Sequence, residues 1–296
     1  MIAPWRTSLM VLALAGCGAA QSVPGAGAGD GILLPNGAQA TWLVRVEDFG
    51  SSAPRDVRLR VRLPQGDPVL LAGDVFLPLA DAPGATAPSA FAVPRARGAT
   101  DAAWMSDGSL ALVVGRQLGI AGRDGFVPYA ELPAVGMHLA PASTGECFVF
   151  GGGSLLLYRD DGQALDLLRL PADAAGIAAV VGSRERMFVA TGSSVLSIVA
   201  GAVPTIVYDE GDDTPIGSLA AADGGVFVGS SHGVTFVAAD GRAVAPVLRG
   251  RAADVASRAD AVYVWVAGEG LLRITPTTGY AALAAALAGA DARAAR

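Results

Sequence analysis

The chain of 296 residues contains no lysine and only two histidines and two cysteines. All 21 of its basic side chains are therefore arginines, and 27 acidic side chains outnumber them, which gives a formal net charge of −6. Proteins that bind nucleic acid present clusters of positive charge. The composition thus argues against a nucleic-acid partner.

The chain also lacks several short motifs of common catalytic sites: no H-E-x-x-H, C-x-x-C or P-loop pattern occurs. The spacing G-x-S-x-G occurs at Gly229–Gly233, but it lies between two predicted strands and not at the strand-to-helix turn that exposes a nucleophilic serine. Ser231 and His232 are adjacent in a predicted hairpin turn, which makes no nucleophile–base pair without a third group to orient the histidine. The glycine run Gly151–Gly153 is followed by neither a lysine nor a predicted helix, so it does not indicate a phosphate site. We predict no catalytic residue and no cofactor, and interpret both segments as turns.

The most ligand-like segment is acidic, with four carboxylates within five residues: Asp209, Glu210, Asp212 and Asp213. Calcium takes six to eight oxygen ligands, so such a loop is a candidate site. The order of the residues is not that of an EF-hand, however, and acidic loops are usually just solvated. We predict a solvated loop without a metal, with calcium binding as the alternative.

The apolar run at the N-terminus, Leu9–Gly16, is too short to span a bilayer, which needs about 20 residues. It follows Arg6, as in the hydrophobic region of a secretory signal. Its end, Leu14–Cys17 (LAGC), resembles the lipobox of bacterial lipoproteins, in which the chain is cut before the cysteine and the cysteine is lipidated. The resemblance implies that residues 1–16 are a signal peptide and that Cys17 anchors the protein in a membrane of the bacterial cell envelope. A plain secretory signal is the alternative.

The residues around the predicted anchor extend this interpretation. Residue 18 is glycine, whereas enteric-type bacteria retain lipoproteins at the inner membrane through aspartate there, so the resemblance points to the outer membrane. Residues 17–30 are rich in glycine and alanine and predict a flexible tether. Lipidation of Cys17 leaves Cys147 as the one free thiol, which excludes an intramolecular disulfide. Cys147 lies in an apolar strand-like run, and we predict a buried, inert thiol.

Residues 31–98 begin with two segments that alternate apolar and polar side chains, the period-two pattern of half-buried strands. From about residue 30 to 72 the chain resembles the Ig-like repeat domain of bacterial surface proteins. The matching positions are Gly37, Trp42, Val44, Val46, Asp48, Gly50, Val57, Leu59, Val61, Leu63, Pro64 and Gly66. The resemblance implies a short Ig-like β-unit, and degenerate repeats of the following region are the alternative.

Three arginines, Arg58, Arg60 and Arg62, share one face of the second of these strands. Such a stripe is usually the solvated side of an edge strand, where charge blocks unwanted pairing. We predict this solvated role, with an anion-binding face as the alternative.

A pattern of about forty residues recurs five times between residues 99 and 280, and the units end in glycine at Gly125, Gly162, Gly201, Gly241 and Gly279. Four short strands in forty residues are typical of a β-propeller blade, because one sheet cannot cover both of its own faces and blades stack around an axis. The last two units, around Gly225–Val234 and Val262–Ile274, resemble the two-component-regulator propeller repeat, which implies the fold and not signalling. We predict an all-β protein with a propeller of about five to seven blades; a sandwich array is the alternative.

The predicted innermost strands, AAWM, MHLA, IAAVV, SLAA and DVAS, are nearly all apolar. Only His138 and Asp254 offer catalytic chemistry in the channel that these strands would line. We therefore predict a lipid-anchored envelope propeller that binds a protein or a glycan. The alternative is an envelope hydrolase or lyase with its active site in the channel.

Residues 281–296 are rich in alanine and predict a C-terminal helix or tail. The last unit therefore has no fourth strand after Leu271–Thr275, and an open sheet edge is a liability. We predict that a strand from before the first repeat, either Leu70–Leu79 or Ser89–Val93, pairs with Leu271–Thr275 and closes the ring.

Overall fold

The computed structural model describes residues 31–34, 36–52, 57–62, 66–72, 75–79, 91–92, 97–142, 145–159, 161–172, 174–250, 252–258 and 261–294. The predictions for Cys17, the signal peptide 1–16 and the tether 17–30 lie outside these residues. Within them, no helix is long and apolar enough to cross a membrane.

The described residues form 25 β-strands, one 3-10 helix and one α-helix. In chain order these are β1 (Gly31–Leu33), β2 (Gln39–Arg45), the 3-10 helix (Val46–Ser52), β3 (Arg58–Arg62), β4 (Asp67–Ala72), β5 (Val75–Pro78), β6 (Phe91–Ala92), β7 (Asp101–Trp104), β8 (Leu110–Val114), β9 (Gln117–Gly122), β10 (Gly125–Glu131), β11 (His138–Pro141), β12 (Glu146–Gly151), β13 (Ser154–Arg159), β14 (Ala164–Arg169), β15 (Ile177–Gly182), β16 (Arg186–Thr191), β17 (Ser194–Val199), β18 (Thr205–Asp209), β19 (Ile216–Ala222), β20 (Gly225–Ser230), β21 (Gly233–Ala238), β22 (Val244–Arg249), β23 (Ala252–Ser257), β24 (Val262–Val266), β25 (Gly270–Thr275) and α1 (Tyr280–Ala294).

The strands form six antiparallel sheets, which are the blades of a β-propeller. Blades 1 to 5 each take four consecutive strands, from β3–β6 through β19–β22, and blade 6 has the order β1-β2-β25-β24-β23. The first strands, β3, β7, β11, β15, β19 and β23, contact one another around the axis and are therefore innermost. The all-β propeller prediction is confirmed, with six blades.

The predicted Ig-like unit is not confirmed. Its second strand is β3, which with β4, β5 and β6 makes blade 1, and its first strand is β2, which belongs to blade 6. The alternating pattern of these residues indicates half-buried strands, and a propeller blade satisfies that pattern as well as an Ig-like sheet does.

The ring closes through β2, which pairs antiparallel with β25 so that Ala40 lies opposite Ile274. A closing strand from upstream of the first repeat was predicted, but the two predicted segments are wrong. Leu70–Leu79 contributes to β4 and β5, and Ser89–Val93 contains β6, all in blade 1. Because β1 folds back onto β2 as a fifth strand, the last blade extends beyond the closing strand.

The core lies between neighbouring blades, where the apolar faces of adjacent sheets pack together. Trp42 of the closing strand is 5% exposed and belongs to the core between blades 5 and 6. Helix α1 covers this core from outside by packing on β21 and β22. Its first residue, Tyr280, is buried with its ring 5.3 Å from that of Phe227 and 6.2 Å from that of Phe236.

Candidate functional site

The innermost strands line a cavity of about 160 Å³ in the propeller channel, and this cavity is partly open to solvent. Blades 4 and 5 line this cavity with small residues, including Ala178 and Gly217, which leave room for it. Blade 3 lines it with the larger side chains of Leu139 and Phe150. Most of the wall is therefore apolar. We call this space the channel cavity.

Five titratable side chains meet at one side of the channel: Arg58 and Arg60 from β3, Asp101 from β7, His138 from β11 and Asp254 from β23. They come from blades 1, 2, 3 and 6. We call them the channel cluster. Arg58, Arg60 and Asp254 line the channel cavity directly.

Arg60 and Asp101 form the central ion pair of the cluster. Nη2 of Arg60 lies 3.0 Å from Oδ1 and 3.3 Å from Oδ2 of Asp101. Arg60 also donates from Nε to the carbonyl oxygen of Ala102 at 3.0 Å, and its Nη1 lies 4.0 Å from Oδ2 of Asp254. The guanidinium is thereby fixed between blades 6, 1 and 2.

The carboxylate of Asp101 is fully buried and has four different donors around it. Besides Arg60, it accepts hydrogen bonds from the backbone N–H groups of Ala102 and Leu139 and contacts Nδ1 of His138 at 3.2 Å. Burial by itself would raise the pKa of this carboxyl, but Arg60 and the hydrogen bond with His138 outweigh it and hold the pKa below its ordinary value. Asp101 is therefore a fixed anion at neutral pH.

Asp254 is also buried, at 9% exposed, but it has fewer charged partners than Asp101. Its Oδ2 accepts from the N–H of Leu59 at 2.7 Å and its Oδ1 from the N–H of Val255 at 2.9 Å. Burial raises the pKa of the Asp254 carboxyl above its ordinary value, and Arg60 offsets only part of that rise. Its role is to fasten β23 to β3, where the last blade meets the first.

The hydrogen bonds of His138 define its tautomer. Nη2 of Arg58 lies 2.9 Å from Nε2 of His138, and a guanidinium has only donors, so Nε2 must be the acceptor. The proton of the neutral ring is therefore on Nδ1 and is donated to Asp101. Arg58, His138 and Asp101 form a chain from cation through neutral imidazole to anion.

These positions correct the prediction for the arginine stripe. Arg62 is exposed as predicted, but Arg58 and Arg60 are half-buried in the channel, because β3 is an innermost strand and not a solvated edge. His138 and Asp254 were predicted to lie in the channel, and both do, whereas Asp101 was not predicted there. An aspartate at the start of an otherwise apolar inner strand was the available signal, and Asp254 presents the same signal in β23.

The acidic segment 209–213 lies outside the channel, between blades 4 and 5. Asp209 accepts from the hydroxyls of Ser193 and Ser194 and from the N–H of Gly211. Oε2 of Glu210 accepts from the hydroxyl of Tyr208 at 2.8 Å, and its Oε1 lies 3.0 Å from Nδ1 of His232.

The side chain of Glu210 is only 8% exposed, so the prediction of a simply solvated loop is wrong for this residue. Burial raises the pKa of Tyr208 to about 12, and the neighbouring Glu210 adds to the rise. Asp212 and Asp213 are exposed in the turn that follows, both with positive φ. Among the described residues, no three of His, Cys, Asp and Glu converge as a metal site would require.

The remaining candidates lie where hairpin turns and core strands were predicted. Gly152 occupies the tight turn between β12 and β13 with φ of 52°. Ser231 and His232 form the turn between β20 and β21, with His232 oriented by Glu210 and exposed to solvent. Cys147 is 1% exposed within β12, and burial raises the pKa of its thiol to about 11.

No protein-family model matches the chain, and no curated protein matches it. Solved propeller structures do. The extracellular domain of BT4673 from B. thetaiotaomicron superposes with a TM-score of 0.54 and 10% identity over 83% of this chain, which spans only 38% of that structure's length. A catalytically inactive variant of virginiamycin B lyase from Staphylococcus aureus, solved with quinupristin, superposes with a TM-score of 0.56 and 10% identity. The match covers 84% of this chain and 94% of the lyase chain. A streptogramin B lyase structure superposes with a TM-score of 0.56 and 11% identity, over 85% of this chain and 95% of that structure's chain. At such identities the likeness establishes the propeller fold alone.

Proposed function

We propose that the protein is a lipid-anchored binding module of the bacterial cell envelope, which holds a segment of an envelope protein or glycan at the propeller channel. The observation that carries this proposal is the channel cavity itself. It is an apolar pocket with a few fixed charged groups at one side, which is the usual composition of a ligand site.

The engagement of the channel cluster favours binding over catalysis. A general acid or base must reach the substrate with a proton or a lone pair. Both ring nitrogens of His138 are already engaged by Arg58 and Asp101, and the carboxylate oxygens of Asp101 and Asp254 accept backbone N–H groups. The cluster is thus built to hold charges in place.

A hydrolase or lyase is the second candidate, because a carboxylate hydrogen-bonded to Nδ1 of a histidine is the arrangement that orients catalytic imidazoles. It requires Arg58 to leave Nε2 of His138 when substrate binds. Turnover of a candidate substrate that His138→Gln abolishes while ligand affinity is kept would favour the enzyme over the binding module.

The lipid anchor is proposed on the resemblance of Leu14–Cys17 to a lipobox. Two or three acyl chains anchor a protein stably at a membrane. Cys17→Ala should therefore move the protein from the detergent phase to the aqueous phase in a phase-separation assay. Unchanged partitioning of the variant would contradict the anchor, and fractionation of the wild type between the two membranes tests the outer-membrane location.

The binding role is tested by filling the channel cavity. Ala178 lines it, so Ala178→Phe should displace any ligand, whereas Ala285→Phe adds the same side chain to an exposed position of helix α1. Wild type and both variants are cross-linked in their own envelope and the partners are compared. We expect a partner that Ala178→Phe loses and Ala285→Phe keeps; identical partners for all three proteins would contradict binding at the channel.

A further inference from the structure

The charges of the channel cluster are not evenly matched. Arg60 lies within 4.0 Å of both carboxylates, Asp101 and Asp254. Arg58 has a different environment: in the described part of the chain, no carboxylate lies within that distance of its guanidinium. Its hydrogen-bonding partner is the neutral ring of His138.

An arginine stays charged in proteins, so Arg58 places a positive charge in a partly dry channel without an anion in contact. Burial lowers the pKa of this guanidinium, and Asp101, which is not in contact with it, offsets part of that effect. A ligand anion that contacts Arg58 would compensate the cost of burying this cation, because the two groups form a charge-assisted hydrogen bond. Arg58 lines the channel cavity, so a ligand in that cavity can reach it.

The size and wall of the cavity restrict what accompanies the anion. The cavity has a volume of about 160 Å³ and is partly open to solvent, so it has room for a carboxylate and a short side group. Apolar side chains, including Leu139, Phe150, Val180 and Leu219, form most of the wall away from the cluster, and Ser218 and Ser257 are its hydroxyl-bearing members. The neighbouring group should therefore be aliphatic.

We infer that the channel cavity binds a carboxylate that carries a short aliphatic group, with Arg58 as the partner of the carboxylate. This inference rests on the proposed binding function and specifies its ligand. Two sources share the chemistry: a free short-chain carboxylic acid, and the C-terminus of a peptide that ends in a small apolar residue.

The test is calorimetric titration of the full-length protein in detergent with acids and their neutral amides. Butyrate and butyramide represent the free acid, and N-acetylalanine and N-acetylalaninamide represent the peptide terminus. We expect at least one acid to bind tenfold or more tightly than its amide, because a charged hydrogen-bonding partner is lost in the amide. Tighter binding of butyrate assigns the free acid, and tighter binding of N-acetylalanine assigns the peptide terminus. Equal affinities for both acid–amide pairs, or no binding of either acid, would overturn the inference.

A matched pair of variants tests the role of Arg58. Arg58→Gln should weaken binding of the acid about tenfold to a hundredfold, whereas Arg62→Gln, on the exposed end of the same strand, should leave it unchanged. Ligand-free Arg58→Gln should melt no lower than wild type, since it removes a charge that lacks an anion in contact. Binding by Arg58→Gln within twofold of wild type would overturn the inference.

Ala178→Phe provides a second variant that keeps Arg58 and fills the cavity, and it should abolish binding of the acid. Retained binding would mean that the acid binds elsewhere. If neither acid binds while Ala178→Phe still removes the envelope partner, the carboxylate ligand is contradicted and the proposed binding function is supported. If Ala178→Phe also leaves the envelope partner bound, both the carboxylate ligand and the proposed binding function are contradicted.

Discussion

The guanidinium of Arg60 lies 3.0 Å from the carboxylate of Asp101, although the two residues are 41 positions apart in the chain. The pair joins the innermost strands of blades 1 and 2 at a point where Asp101 has no solvent exposure. Because Arg60 also approaches Asp254 of blade 6, the same cation lies next to the junction where the ring closes. The channel cluster is therefore part of the fold's framework as well as of its candidate site.

Replacing Asp101 by asparagine should destabilise the protein strongly. The amide side chain keeps an oxygen acceptor but removes the buried anion opposite Arg60, and breaking a buried ion pair from one side costs about 3 kcal/mol or more. The free energy of unfolding, measured by urea titration, reports this loss. Asp166→Asn is the control, because its ion pair with Arg169 is exposed and should contribute less than about 1 kcal/mol. Similar losses in both variants would contradict the structural role of Asp101.

The pH dependence of stability should carry the signature of Asp101. Its folded-state pKa lies below the ordinary carboxyl value, so its contribution is present above about pH 4 and is lost as the pH falls below that value. The difference in unfolding free energy between wild type and Asp101→Asn should accordingly shrink from pH 7 to pH 3.

Asp254 should show the opposite sign, because burial raises its folded-state pKa. Its contribution is fully present below the unfolded-state pKa and is lost as the pH rises through the folded-state value. Asp254→Asn should thus gain stability relative to wild type as the pH rises from 3 to 7. Parallel pH profiles for the Asp101 and Asp254 variants would contradict the two assigned environments.

The closing strand β2 should be essential to the stability of the ring. Trp42→Ala empties a core position between blades 5 and 6, and such a truncation costs about 3–5 kcal/mol. Leu33→Ala changes a side chain in β1 that is 73% exposed and should shift the unfolding free energy by less than about 0.5 kcal/mol. Deletion of residues 31–45 should abolish the cooperative melting transition. A truncated chain that melts at the wild-type temperature would show that β2 does not close the ring.

Cys147 should resist alkylation in the folded protein. Burial limits access and raises the pKa of its thiol to about 11, so the reactive thiolate is scarce at pH 8. In the Cys17→Ala background it is the one thiol of the chain. Mass spectrometry should detect no iodoacetamide adduct after a native incubation and complete labelling in 8 M urea, roughly the concentration that unfolds most domains. Comparable labelling rates in the two conditions would contradict its burial.

The blades were predictable because their signals are local. The recurring glycines mark turns, and the runs between them alternate or are wholly apolar, as strands covered on one or both faces must be. The helical C-terminus was predictable for the same reason, since alanine-rich composition favours a helix wherever it packs. The segment before residue 99 was harder, because its alternation fits an Ig-like sheet and a propeller blade equally.

The sequence by itself determined the strand content, the repeat length and thus the propeller. Only the tertiary structure decided which strand closes the ring and which charged residues meet in the channel. An alternation with a period of two shows which side chains share a face of a strand, but not whether that face contacts solvent, a neighbouring blade or the channel. Arg58 and Arg60 line the channel because β3 is an innermost strand. The contact between Leu59 and Asp254 spans 195 positions of the chain. No local pattern encodes that distance; it arises because closure of the ring brings the first and last blades together.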